Sequence, residues 1–205
     1  ADAGGTDERG AIFTRREVVE FILDLCGYTD DQPLTARRLL EPSFGQGDFL
    51  FPAIDRLLAC WKSAGGTGDP ILVLGPCIRA VELHRQSFAQ TRTAVISRLM
   101  AYGIHPRSAT AVADEWLLFG DFLLLDLPGT FDLVVGNPPY VRQELIPAVL
   151  LAEYRARYTT IYDRADIYIP FIERSLMSLA AGGVLGFICA DRWMKNRYGG
   201  PLRAL

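Results

Sequence analysis

The chain has 205 residues, of which 50% are hydrophobic and 22% charged, and its formal net charge is −3. This composition excludes a disordered tail and a collagen-like repeat, and it supplies enough apolar residues for a single α/β domain. No apolar run reaches the roughly 18 residues that span a bilayer, so we expect a soluble, cytoplasmic chain. The four cysteines form no CxxC pair, which argues against a metal site.

Helical and strand-like patterns alternate after a loose leader over residues 1–10. Thr14 is placed to cap the first helix, because Glu17 follows it at capping-box spacing. In chain order, the predicted elements are helix 14–27, strand 38–41, helix 48–62, strand 78–83, helices 84–102 and 108–115, strands 116–127 and 131–135, helix 166–181, strand 184–190 and a helix that begins at 196. Most of these strands are apolar on both faces, which predicts a doubly wound, Rossmann-like α/β fold.

Polar side chains stand where four of the predicted strands end: Glu41, Glu82, Asp121 and Asn137. Ligands of doubly wound folds bind beyond the carboxyl ends of the strands, so we expect these residues to line one crevice. A carboxylate at the position of Glu82 can accept hydrogen bonds from both hydroxyls of a ribose. Asp121 lies in an apolar run and needs donors, which either a ligand amine or its own backbone can supply.

A glycine-rich turn follows the first strand, in the run Glu41-Pro42-Ser43-Phe44-Gly45-Gln46-Gly47-Asp48-Phe49. Glycines at such a turn let the backbone approach a ligand closely, because no Cβ intervenes. The turn lacks both the GxGxxG spacing of a dinucleotide site and the lysine of a P-loop. It therefore favours a neutral or cationic nucleoside over a phosphorylated one, although an ordinary strand-to-helix turn explains these residues equally well.

The tetrapeptide Asn137-Pro138-Pro139-Tyr140 directly follows an apolar strand. Two consecutive prolines fix φ at about −65° and have no N–H to donate, so the loop is stiff and its carbonyls can accept hydrogen bonds from a ligand. Asn137 adds an amide oxygen, and Tyr140 adds a planar ring. Rigid acceptors beside an aromatic face suit a flat substrate that carries an amino group.

The tetrapeptide, the run 41–49 and the helix that begins at Thr14 together resemble the gamma-class N6-adenine DNA methyltransferases of restriction–modification and phage-defence enzymes. The resemblance implies a class I S-adenosylmethionine-dependent methyltransferase fold, truncated at its C-terminus. It implies a catalytic domain over 11–205, including an N-terminal cofactor-binding helix segment over 11–30. It also implies double-stranded DNA as the partner, no membrane, and further domains in the parent chain: a target-recognition domain, absent here, and in some members a nuclease.

The resemblance assigns a role to each candidate residue. The implied S-adenosylmethionine contacts are Thr14 and the Ser43 backbone for the methionine carboxylate, Glu41 for its amino group, Gly45 and Gly47 for close approach, Glu82 for the ribose, Asp121 and Phe122 for the adenine edge, and Leu83 and Phe171 for the adenine faces. The implied catalytic residues are Asn137, Pro138, Pro139 and Tyr140. They would hold the amine of a flipped-out adenine, and no general base is required.

The chain departs from this resemblance at a few positions, and other readings stay open. Arg15-Arg16 replaces a proline that is common after the position of Thr14, and Phe44 and Gln46 are larger than the usual loop residues. The same tetrapeptide serves methylation of a protein glutamine or of an RNA base. A catalytically inactive methyltransferase-like scaffold in a defence complex is a further alternative. The arginines and tyrosines of 155–164 suit either phosphate contacts or a solvated face.

Overall fold

The computed structural model describes residues 14–162 and 164–205, so the leader predicted over 1–10 lies outside the described residues. Its strands are β1 (Leu39–Glu41), β2 (Ile78–Glu82), β3 (Leu117–Phe119), β4 (Phe131–Gly136) and β5 (Leu179–Phe187). Its α-helices are α1 (Arg16–Leu25), α2 (Leu50–Ser63), α3 (Pro70–Leu74), α4 (Arg85–Ala101), α5 (Pro106–Trp116), α6 (Ala148–Arg157), α7 (Tyr168–Met177) and α8 (Gly200–Arg203). Within the described ranges, no helix is long and apolar enough to cross a membrane.

The strands form one parallel sheet in the order β3-β2-β1-β4-β5. This order reverses between β1 and β4, as it does in doubly wound folds, so the predicted fold class is confirmed. Consecutive residues of β1 face opposite sides of the sheet: Leu39 joins the core formed with α1, α2, α4 and α5, and Leu40 joins the core formed with α6 and α7. Burial on both faces explains why the central strands are nearly continuous apolar runs.

The third strand is much shorter than predicted. The sequence pattern predicts a strand over 116–127, whereas β3 covers Leu117–Phe119 and Trp116 ends α5. Beyond β3, the backbone N–H groups of Leu124 and Leu125 donate to the carbonyl of Asp121. The apolar residues of this segment therefore form a turn that packs into the core, and their backbones do not extend the sheet.

The edge strand also begins earlier than predicted. Helix α7 ends at Met177 and β5 begins at Leu179, so Gly182-Gly183 lies inside the strand instead of ahead of it. The pairing of β4 with β5 moves from Phe131↔Leu179 directly to Leu133↔Val184, because residues 180–183 bulge out of the ladder. The predicted boundary between helix 166–181 and strand 184–190 is therefore wrong.

The start of α1 differs from the capping prediction. Arg15 occupies the N-cap position and makes no side-chain capping bond. The hydroxyl of Thr14 instead accepts a hydrogen bond from the amide nitrogen of Asn137 at 3.2 Å. The predicted capping role of Thr14 is wrong, because its side chain is turned toward the residue that follows β4.

Candidate active site

The reversal of strand order brings the glycine loop and the Pro-Pro tetrapeptide together. Glu41 ends β1, and Gly136 ends the neighbouring strand β4. A Cβ built on Gly136 would lie 3.7 Å from Cγ of Glu41. Asn137, the next residue, therefore begins its loop beside Glu41, at the position where open α/β sheets bind their ligands.

Thr14 links the two loops directly. Its backbone N–H donates to Oδ2 of Asp48 at 2.8 Å, and its hydroxyl accepts from Nδ2 of Asn137 at 3.2 Å. Asp48 belongs to the run that contains the glycine turn. These bonds join three segments that are far apart in the chain, and they orient the Asn137 amide through its nitrogen.

Glu82 ends β2 and is 3% exposed. Its two carboxylate oxygens accept from the backbone N–H groups of Gly45 at 2.8 Å and His84 at 2.7 Å. Its backbone carbonyl accepts from the N–H of Gly120 at 2.9 Å. Each oxygen of a carboxylate has a second lone pair, so this geometry leaves acceptor capacity for hydroxyl groups. The expected contact with a ribose stays a prediction.

Glu41 is a buried acid with one carboxylate oxygen that accepts no hydrogen bond from the described residues. It is 2% exposed, and its Oε2 has no hydrogen-bond partner among the described residues. Burial, followed by the nearby charges of Asp48 and Glu82, raises the pKa of its carboxyl well above the ordinary value. A cationic group placed against Glu41 would offset that penalty, because it favours the ionised form. The site thus matches the α-amino group of an amino-acid ligand.

Gly47 sits in a conformation and a space that both require glycine. Its φ is 90°, and a Cβ there would lie 2.5 Å from Cε2 of Phe51. Gly45, with φ of 50°, has open space around the position of its Cβ. The loop is therefore shaped by Gly47, while Gly45 leaves room beside Glu82.

Gly47→Ala should lower the free energy of unfolding by about 2–3 kcal/mol, because backbone strain adds to a collision with the Phe51 ring. Gly45→Ala is the matched control, with backbone strain alone, and should cost about 1 kcal/mol. Urea unfolding of both variants measures the difference. Equal losses would contradict the steric argument.

Three of the residues at or near the expected adenine end, Phe122, Phe171 and Tyr154, share one core cluster. The Asp121 carboxylate accepts from the N–H of Leu123 at 2.9 Å through Oδ1 and from the hydroxyl of Tyr154 through Oδ2. The rings of Phe122 and Phe171 lie 5.0 Å apart at 45°, both buried. Leu83 is 56% exposed. Asp121 thus takes donors from its own turn and from α6, while the ring-stacking roles of Leu83 and Phe171 stay predictions.

The tetrapeptide is anchored by its later residues. Pro138 is buried and Tyr140 is half-buried, with its hydroxyl donating to the carbonyl of Ile188 at 3.4 Å. The Tyr140 ring lies 5.6 Å from the ring of Tyr168. Burial raises the pKa of the Tyr140 phenol, so its ring is neutral at physiological pH. A neutral aromatic face beside Asn137 suits stacking with a planar base.

Sequence reasoning missed two residues that shape this site, Asp48 and Tyr154. Asp48 stands one position after Gly47, so its place beside the ligand loop could have been inferred. Tyr154 lies on α6, a helix that the sequence pattern does not reveal. In the stretch 155–164, Arg155 and Arg157 are exposed, as a solvated face requires, whereas Tyr158 is buried and donates to the carbonyl of Leu123 at 2.6 Å. Contacts of this stretch with phosphate stay a prediction.

Comparison with known proteins identifies the family of this chain. Residues 83–205 match the protein family described as Eco57I restriction-modification methylase. The chain belongs to this family. It is 67% identical over 205 residues to Type II methyltransferase M.PaeR7I of Pseudomonas aeruginosa, a match that covers 100% of the chain and 36% of that protein. It is 60% identical over 200 residues to Type II methyltransferase M.XhoI of Xanthomonas vasicola, covering 97% of the chain and 37% of that protein.

The solved structures agree on the fold of this methylase-family chain. A class I S-adenosylmethionine-dependent methyltransferase from Listeria monocytogenes superposes with a TM-score of 0.60 at 14% identity, covering 95% of the chain and 51% of that protein. At this identity the likeness concerns the fold alone. It confirms the predicted class I methyltransferase fold. The chain spans little more than a third of the length of the curated relatives that it matches.

Proposed function

We propose that the chain is the catalytic domain of a restriction–modification methylase that transfers a methyl group from S-adenosylmethionine to the N6 amine of adenine in DNA. The observation that carries this proposal is the place of Asn137 at the carboxyl end of β4, where its amide is hydrogen-bonded to Thr14 and, through Thr14, to the glycine-loop segment. Family membership favours DNA over a protein glutamine or an RNA base as the substrate.

The residues of the crevice fit S-adenosylmethionine. Glu41 offers a buried carboxylate oxygen without a partner in the described structure, and the amino group of the methionine moiety is the cation that suits it. Gly45 leaves open space beside Glu82, where the ribose is expected. Bound S-adenosylmethionine supplies an electrophilic methyl group on a positively charged sulfur.

The protein's part in the reaction is to hold and polarise the target amine. The N6 amine of adenine is a weak nucleophile, because its lone pair is delocalised into the ring. When the amine donates one hydrogen bond to Oδ1 of Asn137 and another to the carbonyl of Pro138, its nitrogen is expected to become pyramidal and electron-rich. This is preorganised electrostatics combined with positioning, and it needs no proton abstraction before methyl transfer.

The target base reaches this site only outside the helix. Adenine in a duplex is stacked and paired, so it must be flipped into the crevice. Stacking on Tyr140 then recovers about 1–3 kcal/mol of the cost, on the scale of base–aromatic contacts.

Because the chain spans only part of its relatives, we expect target recognition and any nuclease to lie in other domains of the parent protein. We expect that protein to act on DNA in the cytoplasm.

Two measurements test the proposal in sequence. Isothermal titration of the folded chain should detect S-adenosylmethionine binding, and no binding at millimolar cofactor would contradict the proposal. Adenine-containing duplex and single-stranded DNA are then incubated with the chain and cofactor, and the digested nucleosides are analysed by mass spectrometry. N6-methyladenine is the expected product, whereas cofactor binding with methylation of RNA or of a protein glutamine instead would overturn the assigned substrate.

A further inference from the structure

Helix α6 places one buried side chain against the carboxylate expected to read the cofactor's adenine. Tyr154 is 5% exposed and is the one residue of α6 buried in the structure. Its hydroxyl donates to Oδ2 of Asp121, while the N–H of Leu123 donates to Oδ1 of the same carboxylate at 2.9 Å. No role for Tyr154 follows from the sequence motifs.

Two donors, one on each oxygen, fix the rotation of the Asp121 side chain. A free carboxylate turns easily about its last torsion, which is a broad and soft one. An ionised carboxylate has about four acceptor sites, so one on each oxygen stays available after these two bonds form. Asp121 is half-buried and follows β3 at the ligand-binding edge of the sheet. Its remaining lone pairs are thus held in fixed directions.

Neighbouring side chains hold the turn that carries Asp121, but they do so through its backbone. Tyr158 donates to the carbonyl of Leu123 at 2.6 Å, and Arg174 donates to the carbonyl of Leu125 and to the Tyr158 hydroxyl. Tyr154 differs from these because it contacts the carboxylate itself. The two tyrosines of this region therefore offer a matched comparison between holding the turn and orienting the acid.

We propose that Tyr154 is a positioning residue that makes the pocket selective for a 6-aminopurine nucleoside, by orienting Asp121 to accept from the exocyclic amine. The proposal rests on the proposed function, since it needs an adenine-bearing cofactor. Burial, followed by the bond to Asp121, raises the pKa of the Tyr154 phenol. The hydroxyl therefore stays protonated and able to donate throughout the physiological range.

The test compares two ligands on one variant. Tyr154→Phe removes the hydroxyl and keeps the ring, which packs in the same core cluster as Phe122 and Phe171. The ligands are S-adenosylhomocysteine and its analogue with hydrogen in place of the 6-amino group. We expect the Kd for S-adenosylhomocysteine to rise about 5- to 10-fold, while the Kd for the analogue changes less than about 2-fold.

Tyr158→Phe is the control, and both ligands should respond to it equally. A merely structural role of Tyr154 would weaken both ligands by the same factor, and that result, or no change for either, would overturn the proposal. The ratio of the two Kd values is measured on one folded sample, so partial loss of stability does not obscure it. Suppose that the unsubstituted chain binds S-adenosylhomocysteine and that the ratio of its two Kd values is unchanged in Tyr154→Phe. This inference then fails, while the proposed function stands. If the unsubstituted chain binds neither ligand, both fail.

Discussion

Asn137→Ala should slow methyl transfer to DNA adenine about 100- to 1,000-fold, while the Kd for S-adenosylmethionine changes less than about 3-fold. The magnitude is that of removing one preorganised hydrogen-bonding group from the place where charge develops in a transition state. The side-chain oxygen of Asn137 is proposed to accept from the target amine only, so cofactor affinity has no reason to fall. Single-turnover kinetics at saturating cofactor measure the rate of methyl transfer.

Thr14→Val distinguishes the role of the Asn137 amide nitrogen, which donates to Thr14, from the role of its oxygen, which is proposed to contact the substrate. Valine keeps the shape of threonine but removes the hydroxyl that accepts from Nδ2 of Asn137 at 3.2 Å, so the amide oxygen is present but less firmly oriented. We expect an intermediate loss of about 10-fold, on the scale of one hydrogen bond of roughly 1–1.5 kcal/mol. If the rate of methyl transfer fell by the same factor in Asn137→Ala and Thr14→Val, Asn137 would act only by holding Thr14. Its proposed contact with the substrate would then be refuted.

The sheet and the polar residues at its edge were predictable because their signals are local. β1, β2 and β4 are buried on both faces, which gives apolar runs that end at Glu41, Glu82 and Asn137. Parallel strands then bring these ends to one edge, whatever the details of the connections. The glycine turn and the Pro-Pro corner are likewise defined by backbone restrictions of residues adjacent in the chain.

The parts that were not predicted depend on distant partners. Thr14 has the spacing of a helix cap, but its hydroxyl bonds to Asn137, 123 positions away, and no local rule reveals that choice. The run 116–127 is apolar enough for a long strand, yet the chain turns at Asp121, and Phe122 and Leu123 are buried in the core shared with α6 and α7. Helix α6 itself buries only Tyr154, so it lacks the apolar stripe by which amphipathic helices are recognised.

Glu41→Gln should stabilise the free chain and at the same time abolish tight cofactor binding. The glutamine removes a carboxyl whose ionisation is penalised by burial and by Asp48 and Glu82, and we expect the free energy of unfolding at pH 7 to rise by about 1–2 kcal/mol. The same change removes the charge that we expect to pair with the methionine amino group, so the Kd for S-adenosylmethionine should rise at least about 30-fold. Thermal unfolding and titration calorimetry measure the two effects.

Glu82→Gln is the contrasting control. Glu82 accepts from two backbone N–H groups, whereas glutamine offers one oxygen and one NH2 group, so one of those N–H groups would face another donor. We expect this variant to lose about 1–3 kcal/mol of stability, the cost of an unsatisfied buried donor. We therefore expect the free energy of unfolding to rise for Glu41→Gln and to fall for Glu82→Gln. Opposite signs would show that the carboxylate of Glu82 is hydrogen-bonded within the fold, whereas that of Glu41 is left to pair with a ligand. Destabilisation by Glu41→Gln would refute that distinction.

The pH dependence gives an independent check on Glu41. Its pKa is raised in the folded chain, so between the ordinary value of 4.5 and the raised value the folded state binds more protons than the unfolded state. The contribution of Glu41 to stability is therefore largest at low pH and declines as the pH rises through that window. Binding of a cationic amine favours ionised Glu41, so cofactor binding should release a proton and strengthen with rising pH over the same window. In Glu41→Gln, the dependence of stability on pH and the dependence of cofactor affinity on pH should both become weaker over this window, because the group that links proton binding to cofactor binding is gone.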